Sequence, residues 1–380
     1  MGEQRFRVWF GERGATEEEL ERIEEIEVTQ EMDAMWEARL RLGICLDEQG
    51  SWRHRPDELA QPFSRVRVEL DPGSGRFVPL IDGPVASFES SLDSQPGRST
   101  ATLVVRDDSV FLNRDEAVES FEDRSDSDIA DEVFRRATQI RDTRIEATTG
   151  SHPATVRRGT PMQFLRELAA ANNRHAYVLP GDERGQSIGC FLPDPEDPAG
   201  LPKLVLIGDD RNLSNATIQE ESEGPERTSG RTMRVSDLGE ASFETSASDL
   251  GLMRDLPAVP EDLTPLRLLP PADNTREDPE PAVTSRARAA GYAFRLSSDV
   301  VPGCYGAVLT PYQKVLVEAG QTPYSGEYLI NKVTHRITLS LYSQNLEAKS
   351  DSRTHVPASP VAEAAGGGLS ASFSVSGGIF

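Results

Sequence analysis

Trp36-Glu37-Ala38-Arg39-Leu40-Arg41-Leu42-Gly43-Ile44 alternates apolar residues with charged or small ones over nine positions. A period of two sends one set of side chains to a core and the other to water, the signature of a half-buried antiparallel strand. The flanking sequence repeats the pattern: Phe6, Val8 and Phe10 before it, Val66, Val68 and Leu70 after it. Asp71-Pro72-Gly73-Ser74-Gly75 is a turn by composition, Phe77 to Val85 resumes as a strand, and Gln95-Pro96-Gly97 turns into Thr100 to Val105. Gly83-Pro84 interrupts the strand from Phe77 to Val85 and predicts an edge or a bulge, because proline cannot donate to a ladder. Residues 1–115 therefore read as an antiparallel β unit with the turn spacing of a barrel or sandwich.

Working outward, Thr16-Glu17-Glu18-Glu19 has the form of a capping box and predicts one helical turn. The acids from Glu17 to Glu27 read as a solvated face. Beyond Asp115 the period changes. Ser125 precedes Ile129, Ala130, Val133, Phe134 and Ala137, which share one helix face. Thr160-Pro161-Met162-Gln163 supplies an N-cap, a proline at the first helical position and a capping glutamine. The helix it opens has Phe164, Leu165, Leu168 and Ala169 as its apolar face and Asn172-Asn173 as its stop. Tyr177 to Leu179 and Ile188 to Leu192, around Gly181 to Gly185, predict a hairpin, and Leu204 to Ile207 a short strand. These elements make a small α+β unit over 116–224.

From 225 to 355 the β character returns. Thr232 to Val235, Ala241 to Thr245, Gly306 to Leu309, Val315 to Ala319, Gly326 to Val333 and His335 to Tyr342 read as strands, and Val283 to Ala290 as a short helix. Seven prolines between Pro257 and Pro281 exclude helix and central strand and predict a long extended arm over 257–281. The tail, 356–380, is rich in Gly, Ser and Ala but keeps Leu369, Phe373, Val375, Ile379 and Phe380, which a purely flexible tail would not need. Leu80-Ile81-Asp82-Gly83-Pro84-Val85 and Leu329-Ile330-Asn331-Lys332-Val333 echo each other, each after a strand and a glycine-containing turn. The echo is either chance or a duplication. A duplication gives a mainly β fold with an α+β insertion: two related antiparallel β-barrel domains plus a small α+β domain between them, barrels that the resemblance described below implies are tube-like.

The chain has 380 residues with 40 Lys+Arg against 63 Asp+Glu, a formal charge of −23. Such a surface repels nucleic-acid phosphates and anionic lipid. No run reaches the ~18 apolar residues of a membrane span. Met1 to Arg13 is charged and lacks the apolar region of a signal peptide, so synthesis in the cytoplasm is expected. Cys45, Cys190 and Cys304 lie far apart with no C-x-x-C, and read as buried reduced thiols. There is no G-x-S-x-G, Walker A, Rossmann or H-E-x-x-H motif. The five histidines, His54, His152, His175, His335 and His355, share no helical turn and read as lone structural residues. Asp107-Asp108 and Asp209-Asp210 read as turn and solvent-facing residues rather than a cation site, because neighbours on a strand point to opposite faces. No catalytic, cofactor-binding or metal-binding residue is expected. A glycosidase carboxylate pair would be invisible among so many acids, which leaves a particle-associated peptidoglycan hydrolase as an alternative.

Three stretches carry a resemblance. Arg98 to Leu112, with its Thr100-Ala101-Thr102-Leu103-Val104-Val105-Arg106-Asp107-Asp108 centre, resembles the end of the first barrel in contractile injection system baseplate hubs. Ser127-Asp128-Ile129-Ala130 through Thr160-Pro161-Met162-Gln163-Phe164-Leu165-Arg166-Glu167-Leu168-Ala169 is similar to their α+β middle. Ser325-Gly326-Glu327-Tyr328 to Val333-Thr334-His335-Arg336-Ile337 resembles the Gly-x-Tyr…Val-x-His strand near the end of the second barrel. These are the phage late control protein D and VgrG-type hubs, and the resemblance spans residues 1 to about 350. It implies a homotrimer whose two barrels per subunit make a pseudo-sixfold ring between a sixfold inner tube and a threefold spike. The implied partners are further copies of the chain, the inner tube protein, a separate spike protein and other baseplate components. Nucleic acid and direct membrane insertion are not implied, nor is catalysis. The implied destination is a tail-like particle. Members with a fused spike continue into an OB-fold and a β-helix. This sequence ends at Phe380, so the spike is expected as a separate chain, with Leu369, Phe373, Val375, Ile379 and Phe380 docking it or closing the trimer. An effector-loading module built from the proline-rich arm and the tail is a further alternative.

Overall fold

The computed structural model describes residues 4–46, 49–53, 59–95, 97–221, 227–234, 238–252, 260, 263–270 and 278–352. The expected docking residues Leu369, Phe373, Val375, Ile379 and Phe380 lie outside the described residues, as does part of the proline-rich arm.

The fold is mainly β. The first unit comprises β1 (Arg5–Phe10), β2 (Ile23–Glu31), β3 (Glu37–Gly43), β4 (Arg65–Asp71), β5 (Val78–Ser91) and β6 (Thr100–Arg106). The stretch from Trp36 behaves as its alternation dictates: Ala38, Leu40 and Leu42 are buried in the core, while Glu37, Arg39 and Arg41 lie on the other face. The acids after Thr16 divide into two elements. Thr16 caps a single helical turn, Glu17–Glu21, through the expected capping box. The rest belongs to β2, a strand hidden in the sequence by its glutamates. Ile26, Val28 and Gln30 point inward, and Glu27 lies opposite Arg39 in the ladder.

Gly83-Pro84 marks a change of partner rather than an edge. β5 pairs with β4 as far as Arg65↔Pro84 and then with β6 from Val85↔Val105, with a bulge before Ser87. A Cβ at Gly83 would stand 1.8 Å from the Arg106 carbonyl oxygen, so only glycine lets the strands approach there.

The middle unit holds β7 (Ala117–Arg124), α1 (Asp126–Arg135), β8 (Ile140–Ile145), β9 (His152–Gly159), α2 (Pro161–Ala171), β10 (His175–Pro180) and β11 (Ser187–Leu192). Thr160 is the N-cap expected of α2 and completes a capping box with Gln163, and Ser125, just before α1, caps that helix through the Asp128 N–H. Ile129, Phe134, Leu165 and Phe191 centre its core.

The last unit contains β12 (Leu204–Val205), β13 (Thr217–Glu220), β14 (Arg227–Met233), β15 (Glu240–Ser246), β16 (Leu266–Leu268), α3 (Glu280–Ala290), β17 (Phe294–Val300), β18 (Lys314–Glu318), β19 (Gly326–Ile337) and β20 (Tyr342–Ser350). Several expectations are corrected here. Leu204 and Leu213, expected in the α+β unit, pack in the core of this one, and β12 pairs with β18. Gly306 to Leu309 is not a strand; the Leu309 N–H donates to the Gln344 side chain, which in turn donates to the Ala307 carbonyl, so a side chain replaces a ladder. Gly326 to Ile337 is one strand without a break, and the turn falls at Thr338–Leu341. The arm carries β16, an edge strand parallel to β14, and α3 starts at Glu280 with proline in its first turn. Cys190 is buried as expected, whereas Cys304 is exposed.

The duplication is real in the fold. The first unit has the sheet order β2-β3-β6-β5-β4-β1, and the last has β13-β17-β20-β19-β18-β12, with the strands in the same chain order. The bulge before Ser87 in β5 has its counterpart before Lys332 in β19. Beside it, Val85 exchanges backbone bonds with Ser64 (2.9 Å) and Phe63 (2.9 Å), as Ile330 does with Gln313 (2.9 Å) and Tyr312 (3.1 Å). Phe63 (φ 62°) and Tyr312 (φ 63°) both occupy the left-handed region, rare for aromatic residues. The structural counterpart of Leu329 is therefore Pro84. The Leu80 and Leu329 segments lie in equivalent strands but four positions out of register. One difference remains: β1 runs antiparallel to β4, and β12 parallel to β18.

The two units do not stand apart. β2 pairs antiparallel with β19 from Glu31↔Lys332 to Ile26↔Ile337, and these twelve strands, with the two-residue strand Arg13–Gly14 beside β1, form one sheet among the described residues. Two apolar cores flank this shared ladder, and Ile337 and Tyr342 of the last unit pack into the first.

Candidate functional site

Among the described residues no group of three His, Cys, Asp or Glu side chains is placed to hold a metal. The side chains with unusual environments gather instead where the units meet.

The first junction lies on the face of β4 opposite the core. Alternation assigns Arg65, Arg67 and Glu69 to water, yet Arg67 and Glu69 are buried. The loop between β10 and β11 covers them. Arg67 pairs with Glu69 (2.7 Å) and Asp82 (2.9 Å) and donates to the carbonyls of Gly181 (2.8 Å), Asp182 (3.0 Å) and Glu183 (3.2 Å). Arg65 reaches Asp82 (2.6 Å) and Asp108 (3.1 Å), and Asp108 also accepts from Ser187 (2.7 Å). A guanidinium suits such a site because its fork of donors can be matched one by one. Contrary to the sequence reading, neither Asp107 nor Asp108 faces solvent. Burial pushes the Asp107 carboxyl up to about 6, although Ser109 and the Trp36 N–H donate to it. Asp108 is also raised by burial, against the pull of Arg65.

The second junction joins all three units. His175, at the start of β10, has Nδ1 3.0 Å from both oxygens of Asp33 and Nε2 3.0 Å from Asp194. Asp194 accepts from the Tyr292 hydroxyl (2.7 Å), and the Asp33 N–H donates to the Tyr312 hydroxyl (2.7 Å). The Tyr312 ring stacks on Tyr177 with centroids 3.6 Å apart. Burial alone would lower the His175 pKa; the bonds to Asp194 and Asp33 overcome it and raise it to about 9. Asp194, which burial would raise, is drawn down to about 2 by His175. The imidazolium is thus a charged pin at neutral pH. The sequence reading of His175 as a lone residue fails because its partners are 142 and 19 positions away.

The third junction sits inside the β2–β19 ladder. His335 is fully buried, with Nδ1 2.9 Å from the Tyr342 hydroxyl and Nε2 3.2 Å from Gln30 Oε1. The Gln30 amide donates to the Leu80 carbonyl (2.7 Å), which leaves Oε1 as the acceptor facing His335. Nε2 therefore carries the proton and Tyr342 donates to Nδ1. Burial holds His335 down at about 3, so it stays neutral. On the opposite face Arg336 bonds Glu25 (2.8 Å) and Glu27 (2.6 Å).

Through these three junctions side chains of each unit bond directly to the others. No model of a known protein family matches the sequence, and no curated protein matches it. Solved structures do match. The 43 kDa tail protein of prophage MuSo2 from Shewanella oneidensis superposes with a TM-score of 0.64 at 15% identity, covering 91% of this chain and 98% of that one. The chain shares that tail-protein fold. A tail protein from Neisseria meningitidis MC58 gives 0.60 at 14% identity, over 92% of this chain and 97% of the other. An E. coli component of the type VI secretion system, itself similar to the T4 bacteriophage tail proteins gp27 and gp5, gives 0.56 at 10% identity over 92% and 76%. At these identities the tail-protein likeness is one of fold.

Proposed function

We propose that the chain is a structural hub in the baseplate of a phage-tail-like particle or contractile injection system. In this reading three copies form a trimer that joins a sixfold inner tube to a threefold spike. The observation that carries it is the duplication: two six-strand units per chain, with matching order and matching bulge, give six quasi-equivalent units in a trimer. The tail-protein fold over nearly the whole chain supports the same role. Its partners would be the inner tube protein, a separate spike protein and other baseplate components, within an assembled particle. The tail residues Leu369, Phe373, Val375, Ile379 and Phe380 would dock the spike. Deleting residues 364–380 tests this. Particles that lose the spike but retain the trimer support the hub. Loss of a cargo protein with the spike in place would favour effector loading, and peptidoglycan turnover by the purified chain would favour a hydrolase.

A further inference from the structure

The duplication leaves one junction made and its counterpart unmade. Within the chain, β2 of the first unit lies against the second half of β19, the long strand of the last unit. The equivalents of these strands are β13 and the second half of β5. β13 is the terminal strand of the sheet, and residues 87–91 of β5 have β6 on one side and no strand on the other among the described residues. We infer that β13 of one copy adds antiparallel to Ser87–Ser91 of a second copy, repeating between chains the ladder that β2 and β19 make within one. This inference deepens the proposed hub by naming its self-contact.

The register follows from equivalences already fixed. The bulges align Phe88, Glu89, Ser90 and Ser91 with Val333, Thr334, His335 and Arg336. Pairing with β3 and β17 aligns Thr217, Ile218 and Gln219 with Glu27, Val28 and Thr29, because Ala38 and Leu296 both face the bulge position of the adjoining strand. In the chain, Thr29 faces Thr334, Val28 faces His335 and Glu27 faces Arg336. Between chains Gln219 then faces Glu89, Ile218 faces Ser90 and Thr217 faces Ser91.

A second observation agrees. Phe88 and Ile218 are only partly buried against their own cores, and Leu92, just past β5, is 61% exposed. In this register Phe88, Leu92 and Ile218 fall on one face of the joined sheet and cover one another. An open apolar edge is otherwise an aggregation hazard. The contact is also heterologous, one edge of the chain meeting the other, so it excludes isologous dimers and gives a ring when the rotation between copies closes, as the threefold hub requires. It lacks the Arg336 ion pairs of the internal ladder, with Ser91 and Thr217 in their place, so it should be the weaker of the two.

Disulfide trapping tests the register. The full chain with Cys45 and Cys304 changed to Ser carries Ile218→Cys together with Ser90→Cys, and is oxidised mildly at concentrations where the mass is measured in parallel. The expected product is a reducible covalent trimer, with dimer as its precursor. The control, Ile218→Cys with Ser91→Cys, places the thiols on opposite faces and should remain uncrosslinked, since a one-residue slip reverses every side chain. A trimer by mass with no 218–90 link, or with equal linking in the control, overturns this contact and leaves the hub reading standing. A monomer by mass at every concentration overturns both.

Discussion

Replacing Arg67 with methionine removes a buried cation while keeping most of the side-chain volume. In the wild-type chain this guanidinium, 3% exposed, holds two carboxylates and three carbonyls of the Gly181–Glu183 loop. Breaking a buried ion pair from one side costs 3–5 kcal/mol when the partner is left stranded. Here neither partner is. Asp82 keeps Arg65 (2.6 Å) and the Gly185 N–H (3.0 Å), and Glu69 keeps Arg7 and the Trp9 indole (3.1 Å). The loss should therefore fall at the low end, about 3 kcal/mol. Arg67→Lys keeps the charge but cannot span both carboxylates and the loop, and should fall between the wild type and Arg67→Met. Urea unfolding gives the magnitude, and hydrogen exchange gives the place. The Gly181 amide, bonded to the Gln186 carbonyl at 2.8 Å, should lose protection before the β-sheet does. A loss under about 1 kcal/mol, or exchange that rises everywhere at once, would refute the view that Arg67 fastens the α+β unit to the first β unit.

Gly83→Ala should be strongly destabilising, because its Cβ would meet the Arg106 carbonyl oxygen at 1.8 Å, and Gly83→Val should fail to give soluble protein; a thermal midpoint near wild type for the alanine variant would contradict the geometry. Thr160→Ala removes one half of the α2 capping box and should cost about 1 kcal/mol in chemical denaturation. The His175 pair makes stability fall in alkali. Its folded pKa of about 9 lies above the unfolded value of 6.5, so its contribution is complete below pH 6.5 and is lost as pH rises through 9. The difference corresponds to roughly 3 kcal/mol, counted once for the pair rather than again for Asp194. Urea midpoints at pH 6.5 and 10 should show the drop in the wild type and a much smaller one in His175→Gln.

Local elements were legible where one segment decides its own state. The alternation from Trp36, the capping boxes at Thr16 and Thr160, and the 175–192 hairpin depend on residues close in sequence. The echo pointed to the right pair of strands but matched residues that are not equivalent, because what the two units share is a backbone bulge and a left-handed aromatic residue rather than a string of identities. β2 was missed because its outward glutamates belong to ladders with Arg39 and Arg336, so an acidic run concealed a strand. The junctions were illegible for a related reason. Arg67 sits on the face that alternation gives to water, and only the loop 114 positions away makes it interior. Likewise nothing near His175 in the sequence announces that Asp33 will face it.

The proposed hub requires that three copies of this chain build one ring. Light scattering on the purified full chain, at moderate salt and over a range of concentrations, tests it most directly. A ring of three copies gives a species near three times 41.6 kDa that grows in with concentration. A mass of 41.6 kDa throughout that range would contradict it.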